Sequence, residues 1–180
     1  CICICFGGRL SRIFGLIFFV LSLFLLYHWG AFQKPIHPSG ADWQQYVMGA
    51  TSIWNPQADL DYPSFRRPMF MMILGYWSQY LGVVAAGALL STIGCLAAIV
   101  GVCWWVWIRC GPVFSGVTAL IFVVNPIVVE SFSYTTPYPF LGGCLGLALG
   151  LSASLRAHKT VYKAFCFGLL FGLAFAIDRR

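Results

Sequence analysis

Charge is what this 180-residue chain has least of. Asp, Glu, Lys and Arg make up 9% of it, against about 25% in soluble domains. Acids are scarcest, with only Asp42, Asp59, Asp61, Glu130 and Asp178. A surface so poor in charge excludes an ordinary soluble fold, and 60% hydrophobic residues exclude disorder. The sequence also lacks a Walker loop, a dinucleotide fingerprint, an HExxH helix and a GxSxG elbow. Its three histidines, His28, His37 and His158, stand apart with no ligand spacing, and no cysteine pair has zinc-ligand spacing. No repeat of 20–50 residues is visible.

Long apolar runs are what the chain has in abundance. Residues 68–108 form an uncharged stretch of 41, and about 20 apolar residues cross a bilayer as a helix. The expected fold is therefore all-α, a polytopic transmembrane bundle of about five spans with juxtamembrane helices in a large first outer loop. The spans are expected at 13–29, 83–108, 113–132, 140–155 and 161–177. Residues 1–12 become the cytoplasmic N-terminus, 30–82 the outer loop, and 83–180 four spans with short connections. The chain begins with Cys and stops at Asp178-Arg179-Arg180 directly after an apolar run, which reads as an N-terminal piece of a longer parent.

The net charge of +6 sits at the ends of these runs, which fits membrane orientation and not nucleic-acid binding. With the N-terminus inside, the cytoplasmic ends carry Arg9, Arg12, Arg109, Arg156, Lys159 and Lys163. The outer loops carry Lys34, Arg66 and Arg67, and Arg179 and Arg180 follow the last span on that side. An uncleaved signal anchor at 13–29 and a multi-pass plasma (inner) membrane protein are expected. Cys95, Cys103, Cys110, Cys144 and Cys166 read as small residues of or beside spans. Cys1, Cys3 and Cys5 alternate as palmitoylation sites beside a span can, but an accident of the fragment boundary is the favoured reading. Gly142, Gly146 and Gly150, and again Gly168 and Gly172, recur every four residues as helix-packing stripes.

Polarity gathers in the first outer loop. It holds Asp42, Asp59 and Asp61, the prolines Pro35, Pro38, Pro56 and Pro63, and the aromatics Trp43, Tyr46, Trp54 and Tyr62. A mere connector needs only a few residues, so a loop this long and this aromatic points to function. Residues 42–54 read as a short amphipathic helix, with Asp42 near its N-terminus where the dipole favours a carboxylate. Asp42 equally suits a plain N-cap there. Residues 68–81 are apolar, too short for a span, and end at Gly82, so they form a juxtamembrane or re-entrant helix. Trp104, Trp105 and Trp107 make an interfacial belt closed by Arg109, and Asn125-Pro126 interrupts the third span.

Asp42-Trp43-Gln44-Gln45-Tyr46, then Arg66-Arg67-Pro68, then Tyr80-Leu81-Gly82, resembles the first outer loop of GT-C fold polytopic glycosyltransferases. Protein O-mannosyltransferases and aminoarabinose (lipid A) transferases belong to that group. Asn125-Pro126, residues 131–139 and residues 172–179 stand at corresponding places. The resemblance implies transfer of a sugar from a polyprenyl-phosphate donor to an acceptor hydroxyl on a lipid, glycan or protein, with inversion. It implies Asp42 as general base, Arg66 and Arg67 as phosphate partners, and Tyr46 as orienter of Asp42 or lining of the sugar site. The second loop departs from the family. It reads Tyr134-Thr135-Thr136-Pro137-Tyr138 where an acid is usual, with Glu130 a turn or more earlier, so a divalent metal cofactor stays open. Arg66 and Arg67 also suit lipid headgroups, and Asp59 and Asp61 suit turns. A transporter and a non-catalytic membrane assembly subunit are the competing readings.

Overall fold

A computed structural model describes residues 9–28, 41–53, 67–132, 136–157 and 160–178. Every element among them is an α-helix. They are α1 (Arg9–His28), α2 (Ala41–Ile53), α3 (Pro68–Leu81), α4 (Val83–Cys110), α5 (Pro112–Val124), α6 (Pro126–Ser131), α7 (Pro137–Ala157) and α8 (Val161–Asp178). Arg9–His28, Val83–Cys110 and Pro137–Arg156 are long and apolar enough to cross a membrane, the hallmark of an integral membrane protein.

The other two expected spans are shorter helices. The run expected at 113–132 is broken in two. α5 has 13 residues, about 20 Å, against a hydrocarbon core of about 30 Å. The break lies at Asn125, which is extended (φ −77°, ψ 116°) and accepts the Ile127 amide on Oδ1 at 3.0 Å. Asn125 thus caps α6, and Pro126 enters as its first residue, where a missing N–H costs nothing. The first span begins four residues earlier than 13, taking Arg9 and Arg12 into the helix. α3 starts with Pro68 and stops at Gly82, whose φ of 77° needs a glycine.

Small residues bring the long helices together. A Cβ at Gly94 would fall on the Pro139 backbone and one at Gly101 on the Gly146 backbone. One at Gly150 would lie 2.6 Å from the Trp104 ring. The partner numbers rise together, so α4 and α7 run parallel. The α7 stripe keeps Gly146 and Gly150 of the repeat expected from the sequence and replaces its first member. Gly143, Gly146 and Gly150 line it, while a Cβ at Gly142 would meet only Ala98 Cβ at 3.9 Å. Gly168 and Gly172 face nothing within 4 Å, so their expected stripe packs against no other part of the described chain.

α1 and α5 are also parallel, with Gly15 against Pro112 and Gly116 against Phe18. Ser115 Oγ donates to the Cys103 carbonyl at 2.8 Å, and Lys163 Nζ donates to Ser154 Oγ at 2.8 Å. These bonds join the antiparallel pairs α4/α5 and α7/α8. The connectivity gathers Arg9, Arg12, Arg109, Arg156 and Lys163 at one end of the bundle. Two cores follow. One joins Leu26 of α1 to Cys95, Ile99, Ala119 and Val123. The other, at the end away from those cations, packs α2 and α3 through Ala50, Phe70, Met71 and Leu74 onto Leu90, Cys144 and Ile177. Cys95, Cys103 and Cys144 are buried, as small core residues are.

Candidate functional site

Three side chains from separate parts of the chain meet above the second core. Tyr46 comes from α2, Arg67 from the residue before α3, and Tyr138 from the first turn of α7. Arg67 donates from one guanidinium nitrogen to Tyr46 Oη at 2.9 Å and from the other to Tyr138 Oη at 3.1 Å. Its guanidinium carbon lies 4.6 Å from the centre of the Tyr138 ring, in cation–π range. Arg67 is only 5% exposed and Tyr46 7%, whereas Tyr138 is 53% exposed and forms the outer wall.

Local structure explains the convergence. Arg67 has φ 93° and ψ 55°, a left-handed conformation rare in residues other than glycine. That turn sits directly before Pro68, and the Arg67 carbonyl accepts the Met71 amide at 3.3 Å to close the first turn of α3. The strain, of order 1–3 kcal/mol, persists because the surroundings hold the side chain. Tyr46 is fixed from the other side by an edge-to-face contact with Phe70, with ring centres 5.6 Å apart and planes at 86°. Both helix starts, of α3 and α7, point their positive ends towards the Arg67 end of the bundle.

Two of the four residues expected at a site, Tyr46 and Arg67, are therefore in contact. Asp42 is the second residue of α2, one helical turn before Tyr46, and its side chain lies outside the described residues. Arg66 also lies outside them. Tyr138 was not among the residues expected. Its only sequence signal is its place between two prolines, and the pairing with Arg67 spans 71 positions. Glu130 is exposed on α6. Among the described residues no group of three His, Cys, Asp or Glu side chains is placed to hold a metal ion.

Searches against family models, curated proteins and solved structures find no match to this chain. Function therefore rests on the site and the sequence motifs.

Proposed function

We propose that the chain belongs to a membrane glycosyltransferase that moves a sugar from a polyprenyl-phosphate donor to an acceptor hydroxyl, with inversion. The supporting observation is the Arg67 guanidinium, buried between Tyr46 of the first outer loop and Tyr138 of the second. In this reading both loops build one site at the outer face of a plasma (inner) membrane. The N-terminus and the cation-rich end then lie in the cytoplasm. Asp42 takes the proton of the acceptor hydroxyl as its oxygen attacks the anomeric carbon. The bond to the donor phosphate breaks, and negative charge grows on the departing polyprenyl phosphate. Arg67 supplies a fixed positive charge beneath that phosphate, with Arg66 beside it in sequence. Tyr46 and Tyr138 hold the guanidinium in place, and Tyr138 offers an exposed ring edge to the ligand.

The test is transfer of labelled sugar from a panel of polyprenyl-phosphate sugars in membranes containing the protein. Transfer by wild type, abolished in a normally inserted Asp42→Asn variant, supports both the reaction and the base. Transfer that survives in Asp42→Asn keeps the reaction and reduces Asp42 to a helix cap. Absence of transfer with every donor moves the reading to transport or assembly.

A further inference from the structure

At the cation-rich end, away from the tyrosine–arginine site, α1, α4 and α5 enclose a groove of about 470 Å³. That is the size of a small-molecule pocket. Leu16 and Phe19 of α1 and Val100, Trp104 and Trp107 of α4 form its apolar walls. Ser115, on its floor, commits its hydroxyl hydrogen to the Cys103 carbonyl, so the floor presents little polarity. The one charged side chain on the lining is Arg12, exposed in the first turns of α1.

The polarity is graded along the groove. Arg12 marks one end, and Phe19, seven residues further along α1, lies about 10 Å deeper. α1 and α4 are both spans, so this axis runs from the membrane interface into the hydrocarbon. The indoles of Trp104 and Trp107 favour the interfacial layer. An amphiphile with a negative head and an apolar tail matches this order of groups, a cation at the interface followed by apolar walls.

We infer that this groove is a binding site for an anionic phospholipid, with its phosphate at Arg12 and one acyl chain between α1 and α4. Basic pockets between membrane helices take anionic headgroups in this way. The site is independent of the glycosyltransferase reading and of which membrane face the end occupies.

The test uses the protein in phosphatidylcholine nanodiscs doped with brominated-acyl phosphatidylglycerol or, at equal mole fraction, brominated-acyl phosphatidylcholine. Quenching of Trp104 and Trp107 is read as the difference between wild type and a Trp104→Phe/Trp107→Phe variant. Half-quenching is expected at about five-fold lower mole fraction of phosphatidylglycerol, the weight of one basic residue at a membrane surface. Arg12→Gln, an exposed position that leaves folding intact, removes that preference, and Arg9→Gln preserves it. Equal quenching by both lipids overturns the inference, as does a preference that survives Arg12→Gln or vanishes equally in Arg9→Gln. Absence of quenching by either lipid means that another helix or a second copy fills the groove, and overturns it too.

Discussion

Alanine at Gly143 and alanine at Gly142 are neighbouring, chemically identical changes with opposite expected effects. At Gly143 the new Cβ would lie 2.7 Å from the Gly94 carbonyl oxygen, 3.0 Å from Gly94 Cα and 3.1 Å from Ala97 Cβ. Two of these atoms are backbone, so no side chain can swing aside and the two helices must separate. Overpacking of this kind costs about 1–3 kcal/mol. At Gly142 the nearest atom is Ala98 Cβ at 3.9 Å, an ordinary contact. There the substitution brings only the better helix propensity of alanine, about 1 kcal/mol or less. The two variants should differ by about 1–4 kcal/mol. Equilibrium unfolding in mixed micelles, with the mole fraction of dodecyl sulfate as denaturant and far-UV circular dichroism as readout, measures it. Equal stabilities within about 0.5 kcal/mol would refute the parallel α4–α7 packing. Greater damage at Gly142 would instead restore the four-residue stripe that the sequence alone suggests.

Two further outcomes follow from the same geometry. Tyr138→Phe keeps the ring under the guanidinium and removes one part-buried hydrogen bond, so it should lower stability by about 0.5–1.5 kcal/mol in the same unfolding assay. No change would mean that the Tyr138 hydroxyl does not hold Arg67. Asn125→Ala removes the oxygen that accepts the Ile127 amide and should cost about 1 kcal/mol, read as a lowered thermal midpoint, while Asn125→Asp should preserve it.

The helix boundaries were the most legible part of the sequence. Pro68 and Gly82 bracket α3 because one lacks an N–H and the other tolerates positive φ, and both properties are local. Residues 42–54 resolved as α2 within one residue at each end, from amphipathic spacing alone. The Asn125-Pro126 interruption was visible, but not that it divides the run into helices too short to cross alone. Of the α7 glycines, Gly146 and Gly150 were legible as packing positions, but not that Gly143 takes the place of Gly142, because the crossing uses three- and four-residue steps in turn. At the site, Tyr46 and Arg67 entered only through the resemblance of their loop to the GT-C glycosyltransferases, Arg67 as one of a pair with Arg66. The left-handed backbone of Arg67 had no sequence sign, since that conformation usually selects glycine or asparagine. Tyr138 could not be paired with Arg67 by inspection, because only the folding of α2, α3 and α7 onto one core brings them together.

Binding of a short-chain polyprenyl-phosphate sugar to the solubilised protein, by isothermal titration, tests the role of the buried guanidinium most directly. A unit charge ~7 Å from a phosphate, at an effective dielectric constant of ~20, contributes about 2 kcal/mol, which is about thirty-fold in Kd. Arg67→Met is predicted to weaken binding by about that factor with helicity unchanged. Arg67→Lys should retain most of the affinity, and Arg109→Gln, at the opposite end of the bundle, should leave it untouched. A folded Arg67→Met protein that binds the donor as tightly as wild type would contradict the assignment of this site to a lipid-linked phosphate.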